Sequence, residues 1–336
     1  MLRLVKKPRS AQRLLSRRPL TASDADQKLF VDRSDLGTVT TAVQLGLNTF
    51  LAGPAGSGKT TLLRALQRKL EDAGEEVKYV NVEPATPQTG LFDLIRIAIE
   101  PDERGNIGRR PYVYDLDDLD YTLGERYGKQ PLTLLIDGVD EKETAELFGR
   151  HRDHLWALEQ VRWVAASRFQ GPLPPPADSF FDRVLSLEPF GTDEGRELLA
   201  LRVPQVAKAV RDALTGAIGS AYPFVWVLAA QRLMMDSTSV EDVIAEFAAE
   251  RGRAEQLPER FRGLYDAVIA VGPVHASDED LLERVGASRS WTATALKHLE
   301  SRFGLVRSKR VGRRVVYEAL RSQLMADATS AEGDNA

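Results

Sequence analysis

Gly53-Pro54-Ala55-Gly56-Ser57-Gly58-Lys59-Thr60 constrains this chain more than any other stretch, because it dictates both a backbone shape and the kind of group that fills it. It fits the pattern G-x-x-x-x-G-K-[ST]. The apolar run Asn48-Thr49-Phe50-Leu51-Ala52 before it reads as a buried strand, and Thr61-Leu62-Leu63-Arg64-Ala65-Leu66 after it reads as a helix. A loop opened by glycines can turn successive backbone N–H groups inward, and the following helix aims its positive end at the same point. A polyphosphate is the expected occupant. The binding segment is then Gly53, Pro54, Ala55, Gly56, Ser57, Gly58, Lys59, Thr60 and Thr61, with Lys59 reaching the β- and γ-phosphates and the Thr60 hydroxyl ligating Mg²⁺. ATP and Mg²⁺ are the expected cofactors.

Strand-like runs alternate with helical ones after this loop. Val77–Val82 is apolar at alternate positions, and Leu132–Ile136, Trp163–Ala166 and Val184–Leu187 are short apolar runs. With the strand before the loop they make five. Helical segments are expected from Thr60 to Ala73, Leu91 to Ile99 and Thr144 to Leu158, and this alternation implies a parallel sheet covered on both faces. Ligands of such sheets sit at the carboxyl ends of the strands.

The rest of the chain narrows the possibilities. The 336 residues contain no cysteine, which removes disulfides, thiolate metal sites and a cysteine nucleophile. No stretch approaches the roughly 20 apolar residues of a membrane span, and the N-terminus has no secretory apolar run, so a cytoplasmic protein is expected. A net charge of -4 gives no overall pull toward nucleic acid, which leaves local patches. One is the N-terminus, where Arg3, Lys6, Lys7, Arg9, Arg13, Arg17 and Arg18 precede the first acid, Asp24. Residues 1–28 read as a flexible basic tail. Residues 101–130 read as a polar, solvated connection, 171–176 as a stiff proline-rich loop, 191–258 as a helical region and 323–336 as a disordered tail.

The second acidic motif is Leu134-Leu135-Ile136-Asp137-Gly138-Val139-Asp140-Glu141. An apolar strand ending in Asp behind a phosphate loop is the arrangement that delivers a carboxylate to Mg²⁺, so Thr60 and Asp137 are the candidate metal ligands.

Taken in order, Phe30-Val31-Asp32-Arg33, the glycine loop, Asp137 to Glu141, Ala166-Ser167-Arg168, and Leu187-Glu188-Pro189-Phe190 resemble the STAND class of signalling ATPases. They also resemble related AAA+ proteins, notably archaeal and origin-recognition ATPases. The likeness runs from about Leu29 to Leu320. It implies an α/β fold with a five-stranded parallel P-loop NTPase sheet over residues 29–190, a helical lid over 191–258 and a winged helix-turn-helix over 259–322. It implies an ATP hydrolase working as a nucleotide-controlled switch, in a homo-oligomer or with a protein partner, the alternatives being an origin-recognition-like or transposition-type DNA loader and a non-hydrolysing partner-binding adaptor. Lys59, Asp137, Glu141 and Arg168 would be its catalytic residues, Arg168 sensing the γ-phosphate and Glu141, or else Asp140, orienting the attacking water. Pro223 would be either the lid proline near the nucleotide base or simply the start of a helix. Gly138 stands where AAA+ proteins usually place Glu, which favours the STAND-like reading and a slow turnover.

The C-terminal unit carries its own order of elements. Leu264–Val271, Glu279–Val285 and Ser290–Phe303 read as helices, and Leu305–Arg310 and Arg314–Leu320 as strands around Gly312. Helices followed by a hairpin is the order of a winged helix. Arg307, Lys309, Arg310, Arg313 and Arg314 would suit DNA phosphates, with Ser290, Thr292, Thr294, Lys297 and His298 facing bases. The other reading is a latch that packs on the nucleotide domain. DNA is therefore a candidate partner of the hairpin, and no membrane span is expected.

Overall fold

The sheet follows from the apolar runs. A computed structural model describes residues 14–82, 91–99, 116–127, 131–168, 172–235, 239–311 and 314–319. The chain divides into two compact units, one of Pro19–Gly53 with Lys59–Leu187, the other of Pro54–Gly58 with Glu188 onward and the N-terminal segment to Arg18.

In the first unit, β1 (Thr49–Ala52), β2 (Glu76–Asn81), β3 (Leu132–Val139), β4 (Val161–Ser167) and β5 (Arg183–Ser186) form a five-stranded sheet in the order β2-β3-β4-β1-β5. Every pairing is parallel, with Phe50 opposite Ala165 and Val184, and Leu134 opposite Trp163. β1 and β4 therefore lie inside the sheet, and β1 is buried along its whole length, as a strand covered on both faces must be.

Two helices cover one face: α2 (Ser34–Gln44) and α3 (Lys59–Asp72). α3 buries Leu62, Leu63, Ala65, Leu66 and Leu70 against Leu51, Leu135 and Val164 and leaves Arg68 outward. Each fully buried leucine contributes about 1.5–3 kcal/mol. The other face is covered by α4 (Leu91–Ile99), α5 (Leu116–Tyr127) and the stretch after β3, around Phe50, Leu134, Ile136, Phe148 and Trp163.

Three expectations need correction. The stretch read as a solvated connection contains α5, whose Leu119 and Leu123 are fully buried one helical turn apart; its acids mask that stripe. The helix expected from Thr144 to Leu158 is broken into α6 (Glu141–Thr144), a wider π turn over Ala145–Arg150 and α7 (Arg152–Ala157). The π turn brings Gly149 so close to the 176–177 backbone that an added Cβ would stand 3.3 Å from the Pro176 ring. Finally, the segment 14–28 is folded, not a free tail. Leu20 is buried, α1 spans Asp24–Gln27, and the buried Asp26 carboxylate accepts the Thr21 N–H and hydroxyl at 2.9 and 2.7 Å. Residues 1–13, 83–90, 100–115, 128–130, 169–171, 236–238, 312–313 and 320–336 lie outside the described residues, and with them Arg313 and the tail expected over 323–336.

The second unit begins with four helices, α8 (Thr192–Arg202), α9 (Lys208–Ile218), α10 (Pro223–Met235) and α11 (Val240–Glu255). The N-terminal segment belongs here: the buried Arg202 donates to the Leu14 carbonyl at 3.0 Å, the Gln231 amide donates to the Leu15 carbonyl at 2.5 Å, and Arg17 donates to Gln231 at 2.7 Å. Then come α12 (Glu259–Val271), β6 (Val274–His275), α13 (Glu279–Val285), α14 (Arg289–Ser301), β7 (Val306–Val311) and β8 (Arg314–Ala319). The last three strands form an antiparallel sheet in the order β6-β8-β7 over a core of Leu264, Val268, Leu281, Leu296, Leu299 and Tyr317.

Candidate functional site

The glycine loop joins β1 to α3 without any intervening residue beyond 53–58. Gly56 and Gly58 take φ values of 91° and 97°, which an L side chain rarely adopts, so the glycine spacing is a backbone requirement. α3 opens at Lys59 itself. The Lys59 ammonium is buried and donates to the Gly53 carbonyl at 2.7 Å, so the lysine is held back against the root of the loop. Thr60 occupies the first turn of α3, and the Thr61 hydroxyl accepts the Leu20 N–H at 3.3 Å.

Asp137 is buried near the carboxyl end of β3 and accepts the Tyr79 hydroxyl at 2.6 Å. Immediately beyond it the register of β3 on β4 slips, and Gly138 takes φ 90°. Any other residue at that point would be strained. This is the physical reason for glycine where the AAA+ pattern usually has Glu. The chain resumes pairing at Val139 opposite Ser167, and the buried Ser167 hydroxyl donates to the Val139 carbonyl at 2.6 Å. Replacing Ser167 by Ala removes that bond and leaves the carbonyl short of a partner; we expect a loss of about 1–2 kcal/mol, read by urea unfolding.

The two acids proposed to orient water differ in setting. Asp140 is the N-cap of α6: its carboxylate accepts the Glu143 N–H at 2.6 Å, and the Glu143 carboxylate accepts the Asp140 N–H at 3.0 Å. Glu141 is the exposed first residue of α6. Burial pushes the Glu143 carboxyl above its ordinary range, aided by the Asp140 charge and opposed by the hydrogen bond from the Asp140 backbone. Arg168 follows the last residue of β4 and is exposed. Asp137 and Arg168 lie at the carboxyl ends of β3 and β4, the loop leading to Lys59 leaves the carboxyl end of β1, and the order β3-β4-β1 makes these three strands neighbours.

In the other unit, Pro223 is the first residue of α10, and the next N–H, that of Phe224, donates to the Gly56 carbonyl at 3.3 Å. The first turn of α10 is therefore bonded to the loop residue that sequence alone assigned to phosphate. On the C-terminal hairpin Arg307, Lys309, Arg310 and Arg314 are all exposed, whereas Thr292, expected to face bases, is buried. Arg313, the fifth cation expected to meet phosphate, lies outside the described residues.

Residues 36–171 match the family model described as the P-loop containing dynein motor region. The matched stretch carries the glycine loop and strands β1 to β4. Solved structures with a similar chain path include Thermotoga maritima RuvB, described as a Holliday junction branch migration motor, at 17% identity and TM-score 0.43, over 92% of this chain and 97% of that one. Aeropyrum pernix Orc1 in complex with DNA is 15% identical at TM-score 0.42 over 93% of each chain. Drosophila ORC bound to DNA is 11% identical at TM-score 0.45, over 97% of this chain and 94% of that one. No curated protein matches the sequence.

The donors suit the expected cofactor. The Thr60 hydroxyl and the Asp137 carboxylate are hard oxygen ligands, and Mg²⁺ is usually held by one or two carboxylates together with substrate phosphates. Among the described residues no helix is long and apolar enough to cross a membrane.

Proposed function

We propose that the chain is a Mg²⁺-dependent ATP hydrolase of the STAND-like kind that acts as a nucleotide-controlled switch, oligomerises and engages DNA through a C-terminal winged helix. The observation that carries the switch is the bond from the Phe224 N–H to the Gly56 carbonyl, because it attaches the first turn of α10 to the glycine loop. A phosphate drawing the loop's N–H groups inward changes what that carbonyl can offer α10. ATP and ADP shift the arrangement only by the difference in how strongly each favours it.

In this reading the loop N–H groups and Lys59 bind the phosphates, with Lys59 exchanging its Gly53 carbonyl for a phosphate oxygen. Thr60 and Asp137 hold Mg²⁺, which supplies positive charge to the phosphate oxygens. Arg168 stabilises the charge of the transferring group, Glu141 orients water, and Pro223 fixes the start of α10. Glu141 lies beyond the bulge at Gly138, which fits a slow turnover.

The exposed arginines and lysine on β7 and β8 favour the second element, DNA. Affinity for a duplex should then fall steeply with salt, and Lys309→Ala with Arg310→Ala should lower the magnitude of the log–log slope by about two. Both parts are tested by light scattering of the wild type and Lys59→Ala with ATP, ADP or no nucleotide, each with and without a DNA duplex. An ATP-dependent rise in mass in the wild type alone, with DNA joining the assembly, supports the proposal. An unchanging monomer that still binds ATP replaces it with a partner-binding adaptor whose nucleotide stabilises the fold.

A further inference from the structure

The geometry points to Tyr79 as a positioning residue that fixes the Asp137 carboxylate for its metal, an inference that rests on the ATPase reading above. Tyr79 lies on β2 opposite Leu135, and Asn81 lies opposite Asp137, so Tyr79 and Asp137 are diagonal neighbours on one face of the sheet. That diagonal is within reach of a long aromatic side chain. The phenol spans it and donates to Asp137 Oδ2 at 2.6 Å. An ionised carboxylate can only accept, so the direction of this bond is fixed, and its length is that of a strong, charge-assisted bond.

A third residue strengthens the pair. Arg64, in the first half of α3, sets its guanidinium carbon 3.2 Å from the centre of the Tyr79 ring, and donates to the Gln67 side chain at 2.9 Å. A cation on the ring face withdraws electron density from the phenol and makes its O–H a better donor. Arg64 is carried on the same helix as Lys59 and Thr60, so the glycine-loop helix and the Asp137 strand are linked through the Tyr79 ring. Oδ2 is the oxygen taken by Tyr79, and Oδ1 is the one assigned to the metal side.

Partners that orient a metal-binding carboxylate typically matter 10–100-fold in metal affinity. Tyr79→Phe keeps the ring, its packing and its contact with Arg64 while deleting only the hydroxyl. Mn²⁺ serves as the probe, titrated by electron paramagnetic resonance in the presence of saturating ADP, with ADP affinity measured separately in EDTA. We expect Tyr79→Phe to weaken Mn²⁺ binding about 10-fold or more while ADP binding in EDTA is unchanged. Arg64→Met should weaken it less. Tyr79→Leu, which also removes the ring, should weaken Mn²⁺ no further than Phe does, even if it melts earlier. If Tyr79→Phe binds Mn²⁺ as the wild type does, or if only Tyr79→Leu is affected, Tyr79 is a packing residue and the inference falls alone. If the wild type itself binds no Mn²⁺ with ADP, the ATPase reading falls and takes this inference with it.

Discussion

Lys59→Ala is expected to bind ATP about 100-fold more weakly than the wild type, equivalent to about 2.7 kcal/mol. Lys59 is buried and its ammonium rests on the Gly53 carbonyl, so its charge is partly shielded from water and positioned at the root of the loop. Hydrogen bonds to charged groups contribute about 1.5–3 kcal/mol each, and the loss expected here is that of one strong ammonium–phosphate contact. The fold should survive, because the hydrogen bond lost goes to a backbone carbonyl at the root of the loop. Calorimetric titration with ATP measures the affinity, and thermal melting checks the fold. Equal affinity for the two proteins would remove Lys59 from the binding site.

Gly195→Ala should destabilise the helical unit by about 3 kcal/mol, the upper part of the range for forcing extra atoms into a packed core. α8 crosses α10 at Gly195, and a Cβ built there would stand 2.4 Å from the indole of Trp226. Trp226 has nowhere to withdraw: it is fully buried, and its indole N–H donates to the Ala221 carbonyl at 2.9 Å. Moving the ring breaks that bond and disturbs the bridge between Ala221 and Phe190. Denaturant unfolding reads the loss. A variant as stable as the wild type would mean that the helices separate at little cost.

How much of this was visible in the sequence depended on whether a residue's role is local. The glycine loop was legible because its φ values and the helix that follows are set within a few residues, and Asp137 because an apolar run ending in an acid marks the end of a strand. The five strands were found to within a residue or two at most ends, although β3 extends to Val139 through the bulge. α5 was hidden because Asp118 and Asp120 dominate a stretch whose buried stripe, among the described residues, is Leu119 and Leu123. The fold of 14–28 was hidden by its basic composition, since Asp26 is satisfied by Thr21 in a bend that no periodicity signals. The Tyr79 contact with Asp137 could not be read at all: it needs the register of β2 on β3, which the sequence does not state.

The bulge at Gly138 also bears on how such a chain can change over generations. A mutation to Glu at 138 would create the acidic pair common in AAA+ proteins, but at φ 90° it would cost about 1–3 kcal/mol of backbone strain. Such a variant would carry that loss of stability whatever it did to turnover. Asp140 and Glu141 lie past the bulge on ordinary backbone, so the acid proposed to orient water stands there free of that strain.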